Sequence, residues 1–173
     1  MLNTMIKKIS IPAYLCILLC LSTCAQEKDF DEKLKILYKN TVPLIKPQQL
    51  VSELNRDSSL VVLDCRESQE YETSHIQKAK NVGFNNFTLK SVQDIPKDRM
   101  IIVYCSAGYR SERIGEKLQK VGYTSVYNLY GGIFEWVNQD YPVYNSQNEK
   151  TKKVHVYSKE WGQWLKKGEK IYE

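Results

Sequence analysis

Histidine is nearly missing from this chain: His75 and His155 are the two in 173 residues. That scarcity excludes a histidine-built metal centre. Cysteine occurs five times, at Cys16, Cys20, Cys24, Cys65 and Cys105, but never as a C-x-x-C pair, and three of the five crowd into the first 24 residues. Neither a zinc-ligand spacing nor a disulfide framework follows from that distribution, and no metal or cofactor is expected. Charge is close to balanced, with 25 Lys and Arg against 20 Asp and Glu and a formal net charge of +5. A nucleic-acid binder concentrates positive charge on one face, so nucleic acid is not expected as a partner. No uninterrupted apolar run approaches the roughly 20 residues that a membrane-spanning helix needs. What remains is ordinary: 42% hydrophobic and 26% charged residues, a composition that suits one globular domain with short appendages.

Residues 1–23 have the make-up of a targeting signal. Lys7 and Lys8 give a positive start, and Ile9 to Leu21 give a short apolar stretch broken by Ser10 and Pro12. The ending Leu21-Ser22-Thr23-Cys24 resembles a bacterial lipobox, with Thr23 where Gly, Ala or Ser is usual. That resemblance implies acylation of Cys24 and a membrane-anchored lipoprotein of the bacterial cell envelope, on its periplasmic or surface side. Acyl chains bind membranes at about 0.8 kcal/mol per buried methylene, so several hold firmly. An ordinary cleaved secretory signal and an uncleaved anchor are the alternatives. Residues 24–40 are polar and charged and are expected to form a tether, with one or two helical turns around Glu32 to Tyr38. A domain is expected over 41–145, and residues 146–173 read as a polar linker with an aromatic, basic tail around Trp161, Trp164, Lys166, Lys167 and Lys170, expected to pack back on the domain, with a membrane-surface or partner contact as the alternative.

Inside that domain the pattern alternates. Leu60 to Leu63, Met100 to Tyr104 and Ser125 to Leu129 are short runs rich in apolar and β-branched residues, the mark of strands buried on both faces. Pro47 to Leu54, Ser111 to Val121 and Ile133 to Asn138 read as helices, the second with Ile114, Leu118 and Val121 at helical spacing. Strands alternating with helices predict an α/β fold with a mainly parallel central sheet and flanking helices.

One junction carries chemistry. Between the second strand and its helix runs Cys105-Ser106-Ala107-Gly108-Tyr109-Arg110-Ser111. The carboxyl end of a strand, before a helix N-terminus, is where α/β proteins place ligands. Backbone N–H groups there can converge on an anion, and Gly108 permits the backbone such a turn needs. Arg110 adds a permanent positive charge. These surroundings favour the thiolate, the reactive form of a cysteine. A buried structural cysteine beside a surface arginine fits the pattern alone equally well.

Three motifs in order carry a resemblance. Cys-x-Ala-Gly-x-Arg-Ser at 105–111 resembles the active-site loop of rhodanese-like domains. Leu63-Asp64-Cys65-Arg66, Glu70-Tyr71 and His75-Ile76 with Ala79 and Asn81 resemble an earlier segment of that family. Tyr130 to Trp136, followed by Tyr141-Pro142-Val143, resembles its closing motif. Ser74 and Lys78 stand where the family usually has glycines, and Cys65 where valine is common. The resemblance implies a rhodanese-like fold and a sulfurtransferase. Cys105 would take a sulfane sulfur from a donor such as thiosulfate and pass it to a thiophilic acceptor, possibly a protein thiol, in two transfers. Arg110 would hold the anionic donor and steady the loop, Ser106, Ala107, Gly108, Tyr109 and Ser111 would form the binding loop, and Asp64 and Arg66 would position that loop. His75 is expected to fix a turn and Cys65 to be a small buried hydrophobe, with a resolving-thiol role as the alternative.

Two rival functions are open to the same residues. Related folds hydrolyse phosphate with a cysteine–arginine loop, but four residues separate Cys105 from Arg110, a shorter loop that suits one sulfur atom better than a tetrahedral phosphate. The other rival is a non-enzymatic or redox-sensing interaction module of the envelope.

Overall fold

A computed structural model describes residues 29–172. The signal segment and Cys24 lie outside them. The chain divides into two compact units, residues 1–36 and 37–173. The described part of the first unit is helical, in a helix (α1) that covers 29–37. No helix among the described residues is long and apolar enough to cross a membrane.

The second unit holds a sheet of five strands. These are β1 (Leu44–Ile45), β2 (Val61–Asp64), β3 (Lys80–Asn81), β4 (Ile101–Tyr104) and β5 (Val126–Leu129). All pair in parallel, in the order β1-β5-β4-β2-β3. Helices α2 (Pro47–Arg56), α3 (Ser68–Thr73), α4 (Tyr109–Lys120) and α5 (Gly132–Asn138) alternate with the strands, and a 3₁₀ turn covers Leu89–Val92. This is the α/β architecture expected from the alternation of patterns. The central strand β4 is apolar throughout because both its faces are covered: Ile101, Ile102, Val103 and Tyr104 are all fully buried. Helix α4 lays Ile114 and Leu118 on the same core as Leu63, Val103 and Val126.

Topology places the chemistry. The connection leaving β2 runs to β3 on one side, and the connection leaving β4 runs to β5 on the other. Such a reversal between adjacent strands opens a crevice at their carboxyl ends. Arg66 follows β2 there, and Cys105 follows β4.

Two segments differ from their expected character. Residues 24–40 read as a tether with a helical turn or two around Glu32 to Tyr38; the helix is there, over 29–37, but Tyr38 is buried, and the Lys39 and Thr41 amides each donate to the Glu112 carboxylate at 3.0 Å. Tyr38 is apolar enough to bury and polar enough to bond, a combination that polar composition around it conceals. The polar stretch after Asn145 is likewise structured. β6 (Val143–Tyr144) pairs antiparallel with β7 (Lys150–Thr151), and β8 (Lys153–His155) pairs in parallel with β9 (Glu169–Ile171), with a short helix α6 (Lys159–Gly162) between them. Backbone hydrogen bonds hold these pieces, and backbone bonding leaves little trace in composition. Val154, Val156 and Leu165 bury the apolar side of the tail. Asn138 at the end of α5 clips it in place: its Oδ1 accepts the Lys166 amide at 2.7 Å and its Nδ2 donates to the Trp164 carbonyl at 2.9 Å.

Candidate active site

Cys105 leaves β4 buried, at 2% exposure, and its Sγ accepts the Gly108 N–H at 3.1 Å. The loop's carbonyls are all held on its outer side. The Ile133 N–H donates to the Cys105 carbonyl at 2.9 Å and the Phe134 N–H to that of Ser106 at 3.1 Å, both from the first turn of α5. The Tyr38 hydroxyl donates to the Ala107 carbonyl at 2.8 Å, and Asn128 Nδ2 donates to that of Gly108 at 2.9 Å. With its acceptors turned outward, the loop offers its N–H side to the sulfur. Gly108 itself has φ +98°, and a Cβ there would overlap the Tyr38 ring, so this position requires glycine.

Tyr38 ties two strands of this support together. Its hydroxyl donates to Ala107 and accepts the Gly131 N–H at 2.9 Å, and burial holds its pKa well above the ordinary tyrosine value. Tyr38→Phe leaves a buried carbonyl and a buried N–H unpaired. A loss of about 1–3 kcal/mol is expected in urea unfolding, the range for orphaned buried polar groups.

Arg110, expected to hold a donor, has a protein partner. Its Nη1 and Nη2 donate to the two Glu70 oxygens at 2.7 Å each, and Nη2 also donates to Ser106 Oγ at 3.0 Å. Ser106 Oγ donates in turn to Glu70 at 3.1 Å. Burial works against charge on both groups. The arginine nonetheless holds the Glu70 carboxyl below its usual range, and Glu70 and the neighbouring Cys105 raise Arg110 above its own. The guanidinium is therefore a brace between α3 and the loop, and its fork is largely committed. Sequence reading quoted Glu70 only inside a motif and missed this role.

Asp64 and Arg66 act elsewhere than expected. Both are fully buried, paired at 2.6 Å, and Arg66 also donates to the Ser74 carbonyl at 2.6 Å. They hold the turn after α3 rather than bonding the 105–111 loop; their link to that loop is the Tyr104 ring beneath the guanidinium, at 5.6 Å. His75 occupies that turn, exchanging backbone hydrogen bonds with Tyr144 and stacking on Tyr71 at 3.9 Å. Lys78 takes φ +63°, the left-handed conformation glycine adopts freely. Ser111 Oγ donates to Asn128 Oδ1 at 2.7 Å, so Ser111 supports the loop from below. Asn128 is a second missed residue; a polar side chain within an apolar strand run was its signal. Cys65 is a free, fully buried thiol whose pKa burial and the charge of nearby Cys105 push well up. It stays protonated and packs as a small hydrophobe.

A pocket of about 340 Å³ opens over Cys105, Ser106 and Ala107. Tyr157 and Trp161 of the C-terminal segment line it opposite the loop, and the Tyr157 ring lies 5.3 Å from the Arg110 guanidinium carbon. The tail read as packing back on the domain thus reaches the site itself.

The fold and the loop together are those of a parallel α/β domain with a buried cysteine at its topological switch. The family model for the rhodanese-like domain matches residues 46–139, more than half of the chain, and the chain belongs to that family. A tRNA uridine(34) hydroxylase of Onion yellows phytoplasma is 31% identical over 105 residues, covering 58% of this chain and 34% of that one. The adenylyltransferase and sulfurtransferase uba4 of Ogataea parapolymorpha is 27% identical over 97 residues, covering 54% of this chain and 25% of its own. This chain thus spans a third or less of these relatives' length. A thiosulfate sulfurtransferase of Pseudomonas aeruginosa superposes with a TM-score of 0.57 over 73% of this chain and 24% of its own, at 19% identity, which establishes the shared fold.

Proposed function

We propose that the chain is a sulfurtransferase that carries sulfur as a persulfide on Cys105. The carrying observation is the Cys105 Sγ accepting the Gly108 N–H at 3.1 Å, at the foot of a pocket, inside a loop whose carbonyls are turned away. That arrangement stabilises an anionic sulfur by N–H donors without a metal or a histidine base. In the first transfer the Cys105 thiolate attacks the outer sulfur of a thiosulfate. A new S–S bond forms, the donor's S–S bond breaks, and sulfite leaves with the electron pair. In the second, an acceptor such as cyanide or a thiolate attacks the terminal sulfur and restores the Cys105 thiolate. The Glu70–Arg110 brace holds the loop through both steps. Sulfur transfer also stands in the printed name of one relative. An acylated Cys24 would place this chemistry at the membrane surface of the cell envelope.

Intact mass after exposure to a sulfane donor tests the reading. One added sulfur is expected, located on Cys105, with loss of that sulfur as thiocyanate on adding cyanide. Cys105→Ser is expected to abolish both. Thiocyanate formation at the native rate by folded Cys105→Ser protein would sink the mechanism.

A further inference from the structure

The pocket is larger than an inorganic donor requires. About 340 Å³ falls within the range that encloses small organic ligands. Leu37, Phe84, Tyr109, Tyr157 and Trp161 give it large apolar and aromatic walls. Its charges do not suit a dianion: Glu67 lines it, and the Arg110 fork is spent on Glu70 and Ser106. Tyr157 and Trp161 both lie beyond residues 46–139 that the family model matches, so this wall is an addition to the domain. The chain holds Tyr157 in a costly backbone conformation, φ +65°; such strain in a residue other than glycine clusters at functional sites. Its N–H donates to His155 Nδ1 at 3.2 Å, and the residue is 54% exposed.

Resting on the sulfur-transfer reading, we propose that the Cys105 pocket selects organic sulfane donors with an aryl or other apolar body over inorganic thiosulfate, and that Tyr157 and Trp161 make that selection. The apolar body lies against the two rings while its outer sulfur meets Cys105. With an organic thiosulfonate the thiolate attacks the outer sulfur, a Cys105 S–S bond forms, the donor's S–S bond breaks, and a sulfinate leaves with the electron pair. Both donor types leave the same persulfide, so discrimination lies in binding the departing group.

Three donors separate charge from ring: thiosulfate, a dianion; methanethiosulfonate, a monoanion; and benzenethiosulfonate, a monoanion with a ring. Thiocyanate formation by the full-length chain, with cyanide as acceptor, gives kcat/KM for each. Benzenethiosulfonate is expected to exceed methanethiosulfonate by about tenfold or more, the scale on which apolar pockets discriminate. Tyr157→Ala and Trp161→Ala should each bring that ratio toward one, while Tyr157→Phe and Trp161→Phe retain most of it. Both donors are measured in one preparation, so loss of folded protein cancels from the ratio. A native ratio near one, or a ratio unmoved in both alanine variants, overturns the selection while sulfur transfer stands. Failure of all three donors to place sulfur on Cys105 overturns the sulfur-transfer reading and this proposal together.

Discussion

Glu70→Ala is expected to lower stability by about 3–5 kcal/mol, because removing one partner of a buried pair leaves the other charge uncompensated. The side chains of Arg110 and Glu70 are 13% and 4% exposed, so water cannot replace the lost carboxylate cheaply. Four hydrogen bonds disappear with it, two from Arg110, one from Ser106 and one from the Glu67 N–H. Ser106 adjoins the nucleophile, so slower sulfur loading of the surviving folded protein should accompany the loss. pH supplies a second check. The Glu70 carboxyl is held below its ordinary value by Arg110, although burial opposes this. A lowered carboxylate contributes stability that is fully present above the unfolded value, about 4.3, and that is lost as pH falls through the folded value. Urea unfolding of the native chain and of Glu70→Ala should therefore differ most near neutrality and converge in acid. A gap that does not change with pH would mean that the carboxylate contributes packing alone. Glu70→Gln keeps the shape and one acceptor, and should fall between the two.

Much of this was legible because burial on both faces leaves apolar runs, and β2, β4 and β5 lie within a residue of the runs that foretold them. The loop between β4 and α4 was legible because its chemistry is local: Cys105, Gly108 and Arg110 sit within six residues of chain. Helix α4 begins at Tyr109, two residues before the expected Ser111, since Arg110 belongs to its first turn. What escaped was whatever closes over distance. Glu70 meets Arg110 across 40 positions, and the motif that contains Glu70 does not name its partner. Tyr38 meets Ala107 across 69, from a stretch whose charged neighbours read as solvated. The linker at 146–153 was the largest miss. It is polar enough to read as solvated, yet its Lys150, Thr151 and Lys153 pair in strands held by backbone hydrogen bonds, and the tail that follows brings Tyr157 to the pocket.

Gly132→Ala should be the most damaging change that leaves every reactive atom in place. Gly132 has φ +57°, which costs any residue with a Cβ about 1–2 kcal/mol. The larger effect is steric: an added Cβ would lie 2.7 Å from the Ser106 carbonyl oxygen and closer still to that of Cys105. Those atoms are backbone, and they are the acceptors through which Ile133 and Phe134 hold the loop. Relief requires α5 and the loop to separate, which moves the Gly108 N–H relative to the Cys105 sulfur. A displacement near 1 Å can cost about a hundredfold in rate, and a loss of that order is expected in the loading of sulfur onto Cys105, read by quenched intact-mass kinetics. Gly122→Ala is the matched control. It has φ +93° but nothing within 4 Å of an added Cβ, and it sits at the far end of α4 from the loop. It should show the backbone cost in its melting temperature and load sulfur at the native rate. If Gly132→Ala resembles Gly122→Ala in both measurements, the close approach of α5 to the loop does not set the position of Cys105, and the geometry assigned to that contact has to be given up.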